Sequence, residues 1–534
     1  MVPRTIFFSI FIIQWQKIAV KSDEDFAQLA RSEYFIDKSD MIKVFFNPSK
    51  ASYHFITCPP GFGKSTNLQM LKLFANIVVD KNGSEVSYTK TQAFQVFGNL
   101  RIVKLHESGD FIERHMTQYP IVHLELATNK SILEISSEYD IVSYLNERLA
   151  SCFKDYEWLL EIPREQFIRN KKKMGLQEIS FLEKLRDRNL SKTDAVDGLY
   201  SLCRIVSLYF DRKVIVLVDQ YDHMINSYAI WTSNRTVSKI YSAINTMLAL
   251  ALGDQRFVQN WMLLGTSSMP FRGSYLTFSD FNHHSFLNEH LFTPYFGFTE
   301  LEMRQLFRKF KCSMEEKIDI QEYYNGYVTR GTKTPMYNPA SVTKYFSTRI
   351  SVGRKHMSSA LKSYWSTRDE KEFLLRLLKN LPGFKTDLKK LISRDSISFK
   401  LTKNFFKKDL RVFRDLNITN KHFYIKHYNL AMSFLFEHGY LVPSLLVGER
   451  VNDYKVPNNE IAIELDAVLE EFKAKKSKTS IGLDYSLPDL SLYEDDDSTL
   501  EQKSHQGAVN ELYNEFLSLN MSRKFCLSGP NTGC

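Results

Sequence analysis

The sequence predicts an α/β domain with a parallel sheet, a phosphate-binding loop (P-loop) after its first strand, and a helix-dominated region behind it. Three observations predict this. Short apolar runs alternate with longer stretches of helical spacing, the order of a parallel sheet with crossover helices. One run, Val214-Ile215-Val216-Leu217-Val218, is continuously apolar and ends in Asp219, as a strand covered on both faces reads. Another, Tyr53-His54-Phe55-Ile56-Thr57, leads directly into Cys58-Pro59-Pro60-Gly61-Phe62-Gly63-Lys64-Ser65 and then into a helical pattern.

Taken in order, residues 26–46 read as a helix, a turn near Tyr34-Phe35-Ile36-Asp37-Lys38 and a second helix beginning near Ser39. After the strand at 53–57, Leu68, Leu71, Leu73 and Phe74 recur at helical spacing from Ser65 onward. Strands are expected at 121–126 and 261–266, with mainly helical chain over 131–210. Beyond Pro294 the pattern becomes helical up to about residue 471. The tail, 472–534, is rich in Ser, Asp, Asn and Lys and reads as flexible.

The bulk numbers agree with a packed protein. The chain has 534 residues, 43% hydrophobic and 25% charged, with 40 Phe and 27 Tyr, which places it among globular chains rather than disordered ones. A net charge of +9 permits a nucleic-acid or anionic-membrane partner without requiring one. The positive excess gathers near Lys403, Lys407, Lys408, Arg411 and Arg414, and Tyr493-Glu494-Asp495-Asp496-Asp497 swings the other way. A solvated helical face followed by an acidic linker accounts for both, and is preferred to a nucleic-acid site.

The N-terminus has the pattern of a signal peptide. Arg4 precedes the apolar run Ile6-Phe7-Phe8-Ser9-Ile10-Phe11-Ile12-Ile13, and small residues lie near Val20-Lys21-Ser22, before Asp23. The expectation is a leader over 1–22 and a secreted or secretory-pathway protein. The alternative is a first β-strand of a cytoplasmic one. The run is far below the roughly 20 apolar residues that cross a bilayer, and no later stretch suits a transmembrane segment. Six cysteines (Cys58, Cys152, Cys203, Cys312, Cys526, Cys534) show no metal-ligand spacing and define no disulfide pairing. Glycosylation acceptors occur at Asn82, Asn129, Asn189, Asn234, Asn417 and Asn520, a weak sign of secretion.

Three motifs carry chemistry. In the loop, Gly61 and Gly63 allow consecutive backbone N–H groups of Gly61, Phe62, Gly63, Lys64, Ser65 and Thr66 to face phosphate oxygens. Lys64 suits the β- and γ-phosphates, the Ser65 hydroxyl suits Mg²⁺, and the following helix adds the positive end of its dipole. Cys58 stands where the general pattern has its first Gly. Asp219, ending its strand, suits Mg²⁺, and Gln220 beside it is able to hydrogen-bond an attacking water but not to take its proton. Gly265-Thr266-Ser267-Ser268 closes a third strand with polar groups suited either to a γ-phosphate or to a simple turn.

These residues resemble the AAA-ATPase-like family. The resemblance rests on Phe35-Ile36-Asp37-Lys38, on Gly61-Phe62-Gly63-Lys64-Ser65-Thr66-Asn67-Leu68 with Met70-Leu71, and on Val218-Asp219-Gln220-Tyr221-Asp222. It continues through Leu264-Gly265-Thr266-Ser267, Phe296-Gly297-Phe298-Thr299, Tyr324-Asn325-Gly326-Tyr327, Tyr337-Asn338-Pro339 and Tyr364-Trp365. A fainter echo follows in Gly439-Tyr440-Leu441 and Val456-Pro457-Asn458. The resemblance implies an AAA-like P-loop domain over 23–300 and a helical region over 301–471. It also implies ATP with Mg²⁺ as ligands, with Lys64 and Ser65 on phosphate and metal and Asp219 as the strand-end acid. Gln220 replaces the family's usual Glu, which weakens hydrolysis, and Ser268 replaces its usual Arg, with Arg272 nearby. Bacterial members often carry a C-terminal PD-(D/E)XK-type nuclease domain, but no Asp…Glu-X-Lys pattern is recognisable here, so nuclease activity is not expected. The function expected is a slow or coupled ATPase, with a protein partner unspecified. The rival is a secreted, non-enzymatic binding protein that keeps the fold without hydrolysis.

Overall fold

The computed structural model describes residues 23–47, 53–104, 109–128, 137–162, 175–224, 226–227, 234–268, 282–285, 291–329, 335–352, 360–365, 368–402, 421–444 and 452–478. The leader, Arg272, the basic stretch around 403–414, the acidic run at 493–497, Cys526 and Cys534 lie outside them.

Five parallel strands form the central sheet: β1 (Tyr53–Thr57), β2 (Ile121–Glu125), β3 (Val214–Asp219), β4 (Val258–Gly265) and β5 (Asn282–Ser285). Their spatial order is β2-β3-β4-β1-β5. Every residue of β3 is buried, which explains its unbroken apolar sequence. The helix Lys64–Ala75 packs on β2 and β3, while Gly198–Phe210 and Asn234–Gly253 pack on each other and on β3 and β4. This is the fold class predicted, an α/β P-loop-like parallel sheet with flanking helices and a helical region after it.

β5 is the element the apolar pattern does not announce. Asn282-His283-His284-Ser285 is polar, yet His284 Nε2 lies 3.4 Å from His54 Nδ1, and His283 Nε2 lies 3.0 Å from Thr57 Oγ1. His283 also stacks on Phe55 with ring centroids 4.4 Å apart. Burial holds His54 down to about 3 and His284 down to about 4, so both are neutral at ordinary pH and tolerate an apolar setting.

The region after Pro294 begins with a helix capped by Thr299, whose hydroxyl and N–H pair reciprocally with Glu302. Glu302 also binds Lys38 at 2.6 Å, and Lys38 donates to Pro294 O at 2.7 Å. The Phe35-Ile36-Asp37-Lys38 motif therefore fastens the N-terminal segment to this region. Helices Glu300–Lys309, Met314–Tyr324 and Pro339–Val352 enclose a second apolar core around Met303, Phe307, Ile320, Tyr345 and Phe346. A buried ion pair, Arg349 Nε to Glu316 Oε1 at 2.5 Å, crosses it, and Tyr345 donates to the same carboxylate at 2.9 Å.

Helices Arg368–Asn380, Phe384–Ile392 and Lys421–Glu437 join the main core with Asn459–Lys478. A small antiparallel sheet of β6 (Ile397–Ser398), β7 (Val442–Pro443) and β8 (Asp453–Lys455), in the order β6-β8-β7, interrupts this helical region. Asn459–Lys478 runs through the first residues of the stretch read as tail, because Phe472 packs on the core and Glu471 pairs with Lys371 at 2.7 Å and Lys475 at 2.9 Å. Among the described residues no helix is long and apolar enough to cross a membrane. Cys58, Cys152, Cys203 and Cys312 are buried and unpaired.

Glu460, in the first turn of Asn459–Lys478, is fully buried and accepts the Tyr364 N–H at 2.8 Å. Burial pushes its carboxyl from an ordinary value near 4.5 up to about 7. The folded state therefore holds this proton more tightly than the unfolded chain. The contribution to stability is fully present below about pH 4.5 and is lost as pH rises towards 7. Glu460→Gln removes that loss: its thermal midpoint gains on the unmodified protein from pH 5 to pH 8, whereas a difference independent of pH contradicts the assignment.

Candidate functional site

The carboxyl ends of β1, β3 and β4 meet at the loop, the crevice where open α/β sheets bind ligands. The loop leaves β1 at Cys58, whose N–H is still held by Gly265 O at 3.0 Å across the sheet. Cys58 does not have a positive φ, so the side chain in place of the usual Gly is accommodated. Gly61 (φ 77) and Gly63 (φ 88) do lie in the left-handed region, where a glycine is needed. Gly63 is the N-cap of Lys64–Ala75, and open space surrounds the position its Cβ would take.

Lys64 is 8% exposed, and its ammonium turns back over the loop. It donates to Cys58 O at 2.6 Å, Pro59 O at 2.9 Å and Thr266 Oγ1 at 3.3 Å. Thr266 is where it is because Asp222 fixes the turn after β4: its Oδ2 accepts Thr266 N at 2.8 Å, Ser267 N at 2.6 Å and Asn226 Nδ2 at 2.8 Å. Tyr221 adds a hydrogen bond from its hydroxyl to Ser267 O. Burial raises the Asp222 carboxyl, with the two backbone N–H groups and Lys64 opposing.

Ser65, near the start of the helix Lys64–Ala75, faces Asp219 at the end of β3. Burial pushes Asp219 up to about 6, against the Ser65 hydroxyl hydrogen bond and the Lys64 charge, while Glu125 adds to the rise. Asp219 Oδ1 is buried without a hydrogen-bond partner among the described residues. Gln220 follows with φ 51, a left-handed conformation that costs an L-residue on the order of 1–2 kcal/mol. In it the Gln220 backbone N–H serves the Asp219 carboxylate. Cys58, beside these charges, has its thiol pushed up to about 12 by burial and stays protonated.

The outer side of the loop is covered by the region after Pro294. Asn338 donates to Pro60 O at 3.0 Å, its Oδ1 accepts Ala340 N at 2.9 Å, and Ala340 N bonds Gly61 O at 3.1 Å. Phe62 is buried edge-on to Tyr327, 4.9 Å between centroids, and its carbonyl takes Gly297 N at 3.3 Å. Tyr327 stacks on Trp365 at 5.7 Å, and Gly439 sits where a Cβ would lie 2.8 Å from Pro59 Cβ. Gly326 (φ 106) lies so close to Pro457 that no side chain fits. Ser268 gives its N–H to Glu437 Oε2 at 3.1 Å and its hydroxyl to Glu437 Oε1.

Thus Gly61, Phe62, Gly63, Lys64, Ser65, Thr66, Asp219, Gln220 and Thr266 come together at one end of the sheet. Gly297, Tyr327, Asn338 and Gly439 from the motifs at 296–299, 324–327, 337–339 and 439–441 touch this loop, and the motifs at 364–365 and 456–458 pack behind them on Tyr327 and Gly326. Sequence reasoning gave no role to Asp222, Asn338 or Glu437; Asp222 and Asn338 stood inside recognised motifs, whereas nothing in the sequence singles out Glu437.

Residues 22–273 match the AAA-ATPase_like family model, described as Predicted AAA-ATPase. No curated protein matches the chain.

The crowding at Gly61 gives a direct check on this geometry. A Cβ there lies 2.7 Å from Asn338 Oδ1 and 3.0 Å from Ala340 Cβ, at a φ that alanine resists. Gly61→Ala is expected to destabilise the protein by about 1–3 kcal/mol in urea unfolding. Unaltered stability contradicts the described clamp.

Proposed function

Residues 22–273 belong to the AAA-ATPase-like family, and from that premise we propose that the chain binds ATP through the loop at 58–66 and hydrolyses it slowly. The observation that carries this reading is the convergence of Lys64, the Ser65–Asp219 pair and Thr266 on the ends of three neighbouring strands. The family supports a nucleoside triphosphate as the ligand; the loop itself addresses phosphates, whatever the base.

The backbone N–H groups at the start of Lys64–Ala75 hold phosphate oxygens, favoured by the helix dipole. Lys64 exchanges its carbonyl acceptors for the β- and γ-phosphates. The residues present also fit Mg²⁺: Asp219 has a buried oxygen without a hydrogen-bond partner, Ser65 adds a hydroxyl, and these are the hard oxygen donors that ion takes. Ser65 and Asp219 would hold the ion together with the nucleotide's phosphates. An ion so held would supply positive charge against the charge that develops on the phosphates.

Gln220 is the departure that sets the rate. It orients water through hydrogen bonds but has no basic oxygen to accept the proton. That observation favours the second reading as well, a binding protein without turnover.

Two substitutions separate these readings. Lys64→Ala removes a charge-assisted contact of about 1.5–3 kcal/mol, so the affinity for MgATP drops about ten- to a hundredfold in calorimetric titration. Gln220→Glu raises hydrolysis while affinity stays within about a few-fold. Undiminished affinity in a folded Lys64→Ala variant refutes the site. A Gln220→Glu variant that binds MgATP and remains inert leaves the protein as a binder.

A further inference from the structure

Both donors of Ser268 go to one carboxylate. Its N–H and hydroxyl bind the two oxygens of Glu437, the last residue of the helix Lys421–Glu437. Both halves of this contact continue into residues at the loop. Two residues before Ser268, Thr266 Oγ1 is 3.3 Å from Lys64 Nζ. One residue after Glu437, His438 is buried, kept neutral by that burial, and feels the Lys64 charge. Gly439 next packs against Pro59, whose carbonyl Lys64 also holds. Among the described residues, the charged groups near this point include Lys64, Asp219 and Asp222 at the sheet ends and Glu437 from the helical region.

We propose that Glu437 sets the preference of the site between nucleoside di- and triphosphates, acting as the residue through which the helical region reads the terminal phosphate. The proposal rests on the nucleotide-binding reading given above. A γ-phosphate drawn to Lys64 and Thr266 brings negative charge towards the Glu437 carboxylate in a poorly solvated setting, and like charges there oppose each other. The Ser268–Glu437 contact is therefore weakened by a triphosphate and kept with a diphosphate. By linkage, whatever the triphosphate takes from that contact is returned as reduced triphosphate affinity.

The test uses the full chain with Mg²⁺, ADP and the non-hydrolysable triphosphate adenylyl imidodiphosphate, titrated calorimetrically into the unmodified protein and Glu437→Gln. The amide keeps the shape and one acceptor for Ser268 but removes the charge. The expected result is a shift of on the order of tenfold in the ratio of the two dissociation constants, in favour of the triphosphate. In the unmodified protein, which needs no substitution to fold, amides of Lys421–Glu437 are expected to exchange faster with the triphosphate than with ADP. Equal weakening of both nucleotides, with equal exchange in the unmodified protein, makes Glu437 merely structural and overturns the proposal. If the unmodified protein binds both nucleotides through Lys64 and the ratio is unmoved in Glu437→Gln, only the role of Glu437 falls. If it binds neither, the nucleotide reading falls and this one with it.

Discussion

A buried ammonium has to be given acceptors, and the way Lys64 obtains them fixes the rest of the site. Leaving such a charge unpaired in a dry interior costs several kcal/mol. Cys58 and Pro59 therefore turn their carbonyls inward, and the chain reverses through Gly61 and Gly63 at positive φ. The third acceptor, Thr266, comes from another strand and is held only because Asp222 gathers the turn after β4. An arrangement that surrounds a cation with oxygen at the head of a helix is also one from which the cation is able to swing to a phosphate.

The same loop is bound from outside. Asn338 and Ala340 hold Pro60 and Gly61, Tyr327 and Gly297 hold Phe62, and Gly439 meets Pro59. These residues come from the region after Pro294, so the phosphate loop is a shared wall rather than a surface turn. Movement of the loop on binding a ligand has a contiguous route through Asn338 into Pro339–Val352, and through Ser268 into Lys421–Glu437. A coupled ATPase needs such a route.

The parts legible in the sequence are those whose signal is local. A buried strand reads as an apolar run, and a loop that must present N–H groups reads as Gly61-Phe62-Gly63-Lys64-Ser65, so β1, β3, β4, Lys64 and Asp219 were all visible. Long-range partners leave no such trace. Asn338 lies far along the chain from Pro60, and Glu437 from Ser268, and neither apolar periodicity nor spacing links them. β5 is hidden because Asn282-His283-His284-Ser285 has no apolar residue, its buried His284 being neutral by burial. The sheet β6-β8-β7 is hidden because strands of two or three residues are too short for any period to show.

The proposed nucleotide site joins the loop at 58–66 to the region after Pro294. Amide hydrogen exchange of the full chain, with and without Mg²⁺ and a non-hydrolysable triphosphate, tests it most directly. Added protection is expected together over 58–66 and over 338–341, because Asn338 and Ala340 hold the loop that would close on the phosphates. Exchange in the loop that is indifferent to nucleotide contradicts it, and so does protection of the loop with none at 338–341.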